Sequence, residues 1–188
     1  MVQFPFPDEI SAYDELRRDS QFSRVPPSKH KQIVSDAWKR GLDAANTLFN
    51  NCSVSVYDVL RDQGMLIQRI DADCVIGSTR YFAEFFEKRK EIVIYSQAIN
   101  LFATHNQLSY EHAEQLILAH ELFHYLECSK QVSPAESVYQ HSVIKIGKWT
   151  LLKSSLRSIS EISAYGFAFG YYQTRLQEPH DLASELDS

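Results

Sequence analysis

Two histidines four residues apart inside an otherwise apolar run constrain this chain more than any other feature. The stretch Leu118–Glu127 reads LAHELFHYLE, with His120, His124, and Glu121 directly after the first histidine. Ser109 is placed to cap a helix whose first turn holds Glu111. Ala113, Leu116, Ile117, Ala119, Phe123 and Leu126 then recur at helical spacing, so the helix is expected to be buried. Residues four apart on a helix share a face, and two imidazoles so placed can reach one tetrahedral zinc ion. Glu121 is rotated about 100° from His120, beside the metal position rather than on it. Its carboxylate is therefore available to take a proton from water.

Two protein ligands do not make a catalytic zinc site, so a third must come from elsewhere. The extended pattern HExxHxxGxxH fails, because Glu127 and Lys130 stand where glycine and the third histidine would be. That excludes a metzincin and leaves Glu127, Glu136, His141 and Glu161. Glu127 shares the face of His124 at i+3, where it either orients a ligand from behind or is an exposed helical glutamate. Glu136 has a sufficient role in the capping box Ser133-Pro134-Ala135-Glu136. His141 reads as a ligand candidate or, more simply, as an ordinary surface or helix histidine. Glu161 stands in SEISAYGFAFGYY on one helical stripe with Ala164, Ala168 and Tyr172. The two alanines would let that helix approach the motif helix closely, although a plain amphipathic helix explains the same stripe.

The rest of the chain predicts an α+β fold, with a small, mainly antiparallel sheet packed against the motif helix and further helices. Of the six prolines, Pro5, Pro7, Pro26 and Pro27 fall in residues 1–27, which read as a loosely attached arm with one short helix. The domain proper is expected over 28–178 and a polar tail over 179–188. A helix capped by Ser28 runs to Phe49, and SVSVYDVLRDQG gives a shorter one ending at Gly64. MLIQRI, CVIG, RYFAEFF and EIVIYS read as strands, the last two flanking the turn EKRK. A loop through ATHNQ precedes the motif helix. Another helix is expected from Ser133, and the pattern stays helical to about Gln177 with an interruption near Gly147. At 188 residues and 44% hydrophobic, the chain can bury a core in one domain. A net charge of −5 and a pI of about 5.8 argue against direct binding of nucleic acid. Cys52, Cys74 and Cys128 show no CxxC spacing and read as reduced, buried thiols. No leader-like start and no run of about 20 apolar residues is present, so a cytoplasmic protein without a membrane partner is expected.

Across about residues 30 to 175 the chain resembles the ImmA/IrrE metallopeptidases. The likeness is carried by the N-terminal helix, SVSVYDVLRDQGMLIQRI, the strands before the motif helix, LAHELFHYLE, and a later signature, Glu161-Ile162-Ser163-Ala164-Tyr165-Gly166-Phe167-Ala168. The resemblance implies a zincin-like peptidase fold, with His120, His124 and Glu161 as zinc ligands and Glu121 as the catalytic glutamate. It also implies cleavage of a helix-turn-helix repressor inside a bacterium, in bacterial or phage regulation. Ser163-Ala164-Tyr165 replaces the common Glu-Ala-Asn, and Glu161 follows His124 by 37 residues, a longer gap than expected. Tyr165 and Tyr125 are candidate oxyanion donors. RYFAEFF or EIVIYS, at a sheet edge, is a candidate to receive an extended substrate. The rival expectation is a metal-binding module that holds a regulator without cutting it. An intact Glu121 favours the enzyme.

Overall fold

Among the described residues, the apolar periodicity becomes six α-helices, a small three-stranded sheet and two hairpins, which together position one helix pair. The computed structural model describes residues 4–50, 53–146 and 149–177, with 141–146 and 149–154 described through the backbone alone. Cys52, Gly147, the tail 179–188 and the side chain of His141 lie outside the described residues. Helix α1 (Tyr13–Arg18) is followed by α2 (Pro27–Phe49), which buries Ile33, Val34, Ala37, Trp38, Gly41, Ala45 and Phe49 along one side. α2 begins one residue before the expected cap Ser28, because the fixed φ of Pro27 suits a first helical position. In α3 (Val56–Asp62), Ser55 and Asp58 cap each other's backbone amides, and Gly64 at φ +70° ends the helix.

Strand β1 (Leu66–Ile70) is followed by the hairpin β2 (Cys74–Ile76) and β3 (Thr79–Tyr81), then by β4 (Ala83–Phe86) and β5 (Glu91–Tyr95). β5 lies in the middle, parallel to β1 and antiparallel to β4, while β2 and β3 form a separate antiparallel pair. The fold is α+β as expected, but the three-stranded sheet is mixed rather than mainly antiparallel. Alternation along a strand reports which face is buried and says nothing of the direction of its neighbour. Ile92, Val93 and Ile94 are all buried, as befits a central strand. β5 therefore offers no free edge to a substrate, whereas the outer edge of β4 is unpaired among the described residues.

Helix α4 (Ser96–His105) follows β5 without a break and buries Ala98, Ile99 and Ala103. The sequence gives no sign of it, because EIVIY runs into it without glycine or proline to mark the change of period. α5 (Tyr110–Cys128) carries the histidines, and Ser109 Oγ accepts from the His112 amide at 3.1 Å as expected of its cap. The helix expected from Ser133 is instead a single tight turn, Ala135–Ser137, with no side-chain cap and Pro134 extended. An antiparallel hairpin follows, β6 (His141–Ile146) and β7 (Trp149–Ser154). The β-branched run Val143, Ile144 and Ile146 prevails there over the capping signal. Cys128 is exposed and Cys74 half-buried, so neither is the enclosed thiol expected.

α6 (Arg157–Tyr171) packs along α2 and across α5. Ala164 and Ala168 are fully buried in one core cluster with Ala119, Leu122 and Phe123 of α5. The closest backbone approach of α6 is nevertheless to α2. A Cβ on Gly41 would stand 1.8 Å from the Ser163 carbonyl oxygen, and one on Gly166 2.3 Å from that of Trp38. The N-terminal arm is packed rather than loose: Ala12 and Leu16 are fully buried, and Phe4 lies edge-on to Phe169.

The far side of α5 is tied to the sheet by Glu114, which is 3% exposed. It accepts from Tyr57 Oη at 2.9 Å and from Arg69 Nε at 3.2 Å. Burial works to raise this carboxyl, but Arg69 and Tyr57 outweigh it and hold it below its ordinary value. A folded pKa below the unfolded one contributes stability above the unfolded pKa, lost as pH falls through the folded value. Arg69→Ala should therefore move acid unfolding to higher pH. It should also cost about 2 kcal/mol at neutral pH, less than the loss for a fully buried pair because Arg69 is half exposed. Acid titrations of wild type and variant with equal midpoints would contradict this.

Candidate metal centre

Three donors from two helices meet in one place. His120 and His124 project from the middle of α5, and Glu161 from the start of α6, where the α2 contact fixes the rotation of that helix. His120 Nε2 and His124 Nε2 are 3.2 Å apart, His120 Nε2 and Glu161 Oε2 are 3.3 Å apart, and His124 Nε2 and Glu161 Oε1 are 3.6 Å apart. Donors bound at about 2.0–2.2 Å to one tetrahedral zinc ion stand roughly 3.3–3.5 Å from one another. The two carboxylate oxygens of Glu161 face different histidines, and one ligand atom from each of the three residues lies within 4.8 Å of the others, so the group could hold a metal ion. Among the described residues, this is the one group of three or more histidine, cysteine or acidic side chains whose ligand atoms come within 4.8 Å of one another. The histidine side chains are 14% and 18% exposed and that of Glu161 41%, so the open side of the triangle lies at the carboxylate.

The charges within the site oppose one another. Burial works against a charge on His120, yet the hydrogen bond to Glu161 and the nearby Glu121 outweigh it and raise its pKa. Burial also works to raise Glu161, but His120 and then His124 pull it down to about 2. His124 falls to about 4 through burial first and the neighbouring His120 second, which keeps it neutral. Glu121 stands outside the donor triangle and is lifted by burial to about 7. A carboxyl poised there can accept and return a proton near neutrality.

The remaining candidates separate cleanly. Glu127 lies outside the three-residue group: it pairs with Arg40 and accepts from Ser160, whose hydroxyl oxygen is 3.2 Å from His124 Nδ1. Glu136 is exposed and accepts from Ser155 at 3.1 Å, away from the triangle. Tyr125 is committed to Gln63, donating to its Oε1 at 3.0 Å. Tyr165 lies with its ring 5.2 Å from that of His120, and burial raises its pKa, so its phenol remains a donor. Sequence reasoning misses Arg40 and Ser160, which sit on other helices far along the chain, and also Phe6. The Phe6 ring is stacked on Phe102 and Tyr165 and lies 5.9 Å from His120, which makes the N-terminal arm one wall of the site. The Phe-Pro alternation at residues 4–7 is its only signal, and it specifies no partner.

No helix among the described residues is long and apolar enough to cross a membrane. The chain matches no family model, no curated protein and no solved structure.

Proposed function

We propose that this chain is a zinc-dependent endopeptidase with a zincin-like fold, of the kind seen in the ImmA/IrrE family, acting in the cytoplasm on a protein partner. The observation that carries this reading is the pairing of a three-residue group that could hold a metal ion with Glu121, a half-buried carboxylate beside that group and not part of it. A bound zinc ion supplies Lewis acidity, polarising a carbonyl and lowering the pKa of water toward about 7. His120, His124 and Glu161 would hold it. Glu121 takes the proton of the attacking water and then delivers it to the departing amine. Tyr165, whose ring lies 5.2 Å from that of His120, is the candidate donor for the developing oxyanion. An extended peptide fits beside β4, which adjoins α5 and has its outer edge unpaired among the described residues.

The resemblance favours a helix-turn-helix repressor as the substrate. The test is to incubate the zinc-loaded chain with a repressor encoded beside it, with and without chelator, and to follow the partner by mass spectrometry. Cleavage at a defined bond, stopped by chelator, is expected. Tight binding without cleavage by fully zinc-loaded protein would replace the peptidase with the non-catalytic module.

A further inference from the structure

The donor triangle fixes where His124 Nε2 must point but not which ring nitrogen carries the proton, and a neutral imidazole binds a metal only through the nitrogen that does not. The answer lies in a chain of hydrogen bonds behind the site. Arg40, on α2, is 6% exposed and spends its guanidinium on three acceptors: the Ser133 carbonyl at 2.7 Å, Ser163 Oγ at 2.9 Å and the carboxylate of Glu127. An ionised Glu127 has acceptors only. Its second oxygen therefore receives the single hydroxyl proton of Ser160. With that proton committed, Ser160 Oγ can meet His124 Nδ1 only as an acceptor, at 3.2 Å.

From this directionality we infer that Arg40, Glu127 and Ser160 form a positioning relay that holds His124 with its proton on Nδ1 and the Nε2 lone pair toward the metal position. The inference rests on the metal-site reading proposed above. His120 has no such support: its Nδ1 is buried without a partner among the described residues. His124 is thus the oriented ligand of the pair, set by a residue 84 positions earlier in the chain. Outer partners of this kind fix ring orientation and ligand basicity.

The mildest probe is Ser160, whose hydroxyl makes these two bonds and which is half-buried on the first turns of α6. Two readouts apply to Ser160→Ala and Ser160→Thr: ring nitrogen chemical shifts of His124 in metal-free protein, and zinc affinity by competition with a chromogenic chelator. In wild type, His124 should be protonated at Nδ1. Ser160→Ala should lose that fixed tautomer and bind zinc about 10- to 100-fold more weakly. Ser160→Thr, which restores the hydroxyl, should recover both. A thermal melt of each variant checks that the fold is intact. If wild type binds zinc normally and Ser160→Ala keeps the tautomer or the full zinc affinity, the relay is refuted while the metal site stands. If wild type binds no zinc, the metal reading and the relay fall together.

Discussion

Glu121→Gln should retain zinc and lose at least about 100-fold in hydrolysis, the lower scale for removing a general base. The amide keeps the shape and packing of the carboxylate but cannot accept the proton of water. Metal content should not change, because Glu121 lies outside the triangle formed by His120, His124 and Glu161. Both arms of the measurement matter. Undiminished turnover by the glutamine variant would exclude Glu121 as the base. Loss of zinc would mean that Glu121 holds the metal or supports its ligands, and would reassign its role from chemistry to structure.

The largest effect on stability is expected at Gly41. A methyl group added there would lie 1.8 Å from a backbone carbonyl of α6, which no side-chain adjustment can relieve. α2 and α6 would have to separate, opening a contact between two of the main helices of the core. Overpacking costs about 1–3 kcal/mol where side chains can shift, and more is expected here. Gly41→Ala should therefore lower the melting temperature by at least about 6–12 °C, taking more than about 3 kcal/mol and 2–4 °C per kcal/mol for a chain of this size. The same displacement carries Glu161 away from the histidines, so zinc affinity should fall as well. Gly64→Ala is the control. Nothing lies within 4 Å of its added methyl, and its φ of +70° costs about 1–2 kcal/mol in backbone strain alone. Equal melting temperatures for the two variants would show that the α2–α6 approach is not what locks α6 in place.

The site is legible in the sequence to the extent that its chemistry is local. His120, Glu121 and His124 occupy nearby positions on one helix, and the 3.6-residue period alone places them. Glu161 needs a second, non-local signal, the small-residue stripe with Ala164 and Ala168, and its helix does bring it to 3.3 Å from His120. The relay through Arg40 and Ser160 is illegible, because a salt bridge joining positions 40 and 127 leaves no periodic trace. The fold shows the same division. α2, α3 and α5 carry apolar stripes bounded by proline, a capping box or a serine cap, and each can be read from those signals. The direction of β1 against β5 depends on a connection of 20 residues, between Ile70 and Glu91, and cannot. At Ser133–Glu136 a local capping pattern is overridden by the β-branched residues after it. The N-terminal arm reads as loose because its proline content hides two phenylalanines that pack, Phe4 on Phe169 and Phe6 on Tyr165.

Zinc binding itself is the most direct test of the account. Elemental analysis of the purified chain should give about one zinc per molecule, and chelator competition on single variants should identify the third ligand. Glu161→Ala should lower zinc affinity far more than Glu136→Ala or His141→Ala, and the His120→Ala, His124→Ala double variant should lose the ion altogether. Wild-type affinity in Glu161→Ala, or undiminished zinc in the double histidine variant, would contradict the account.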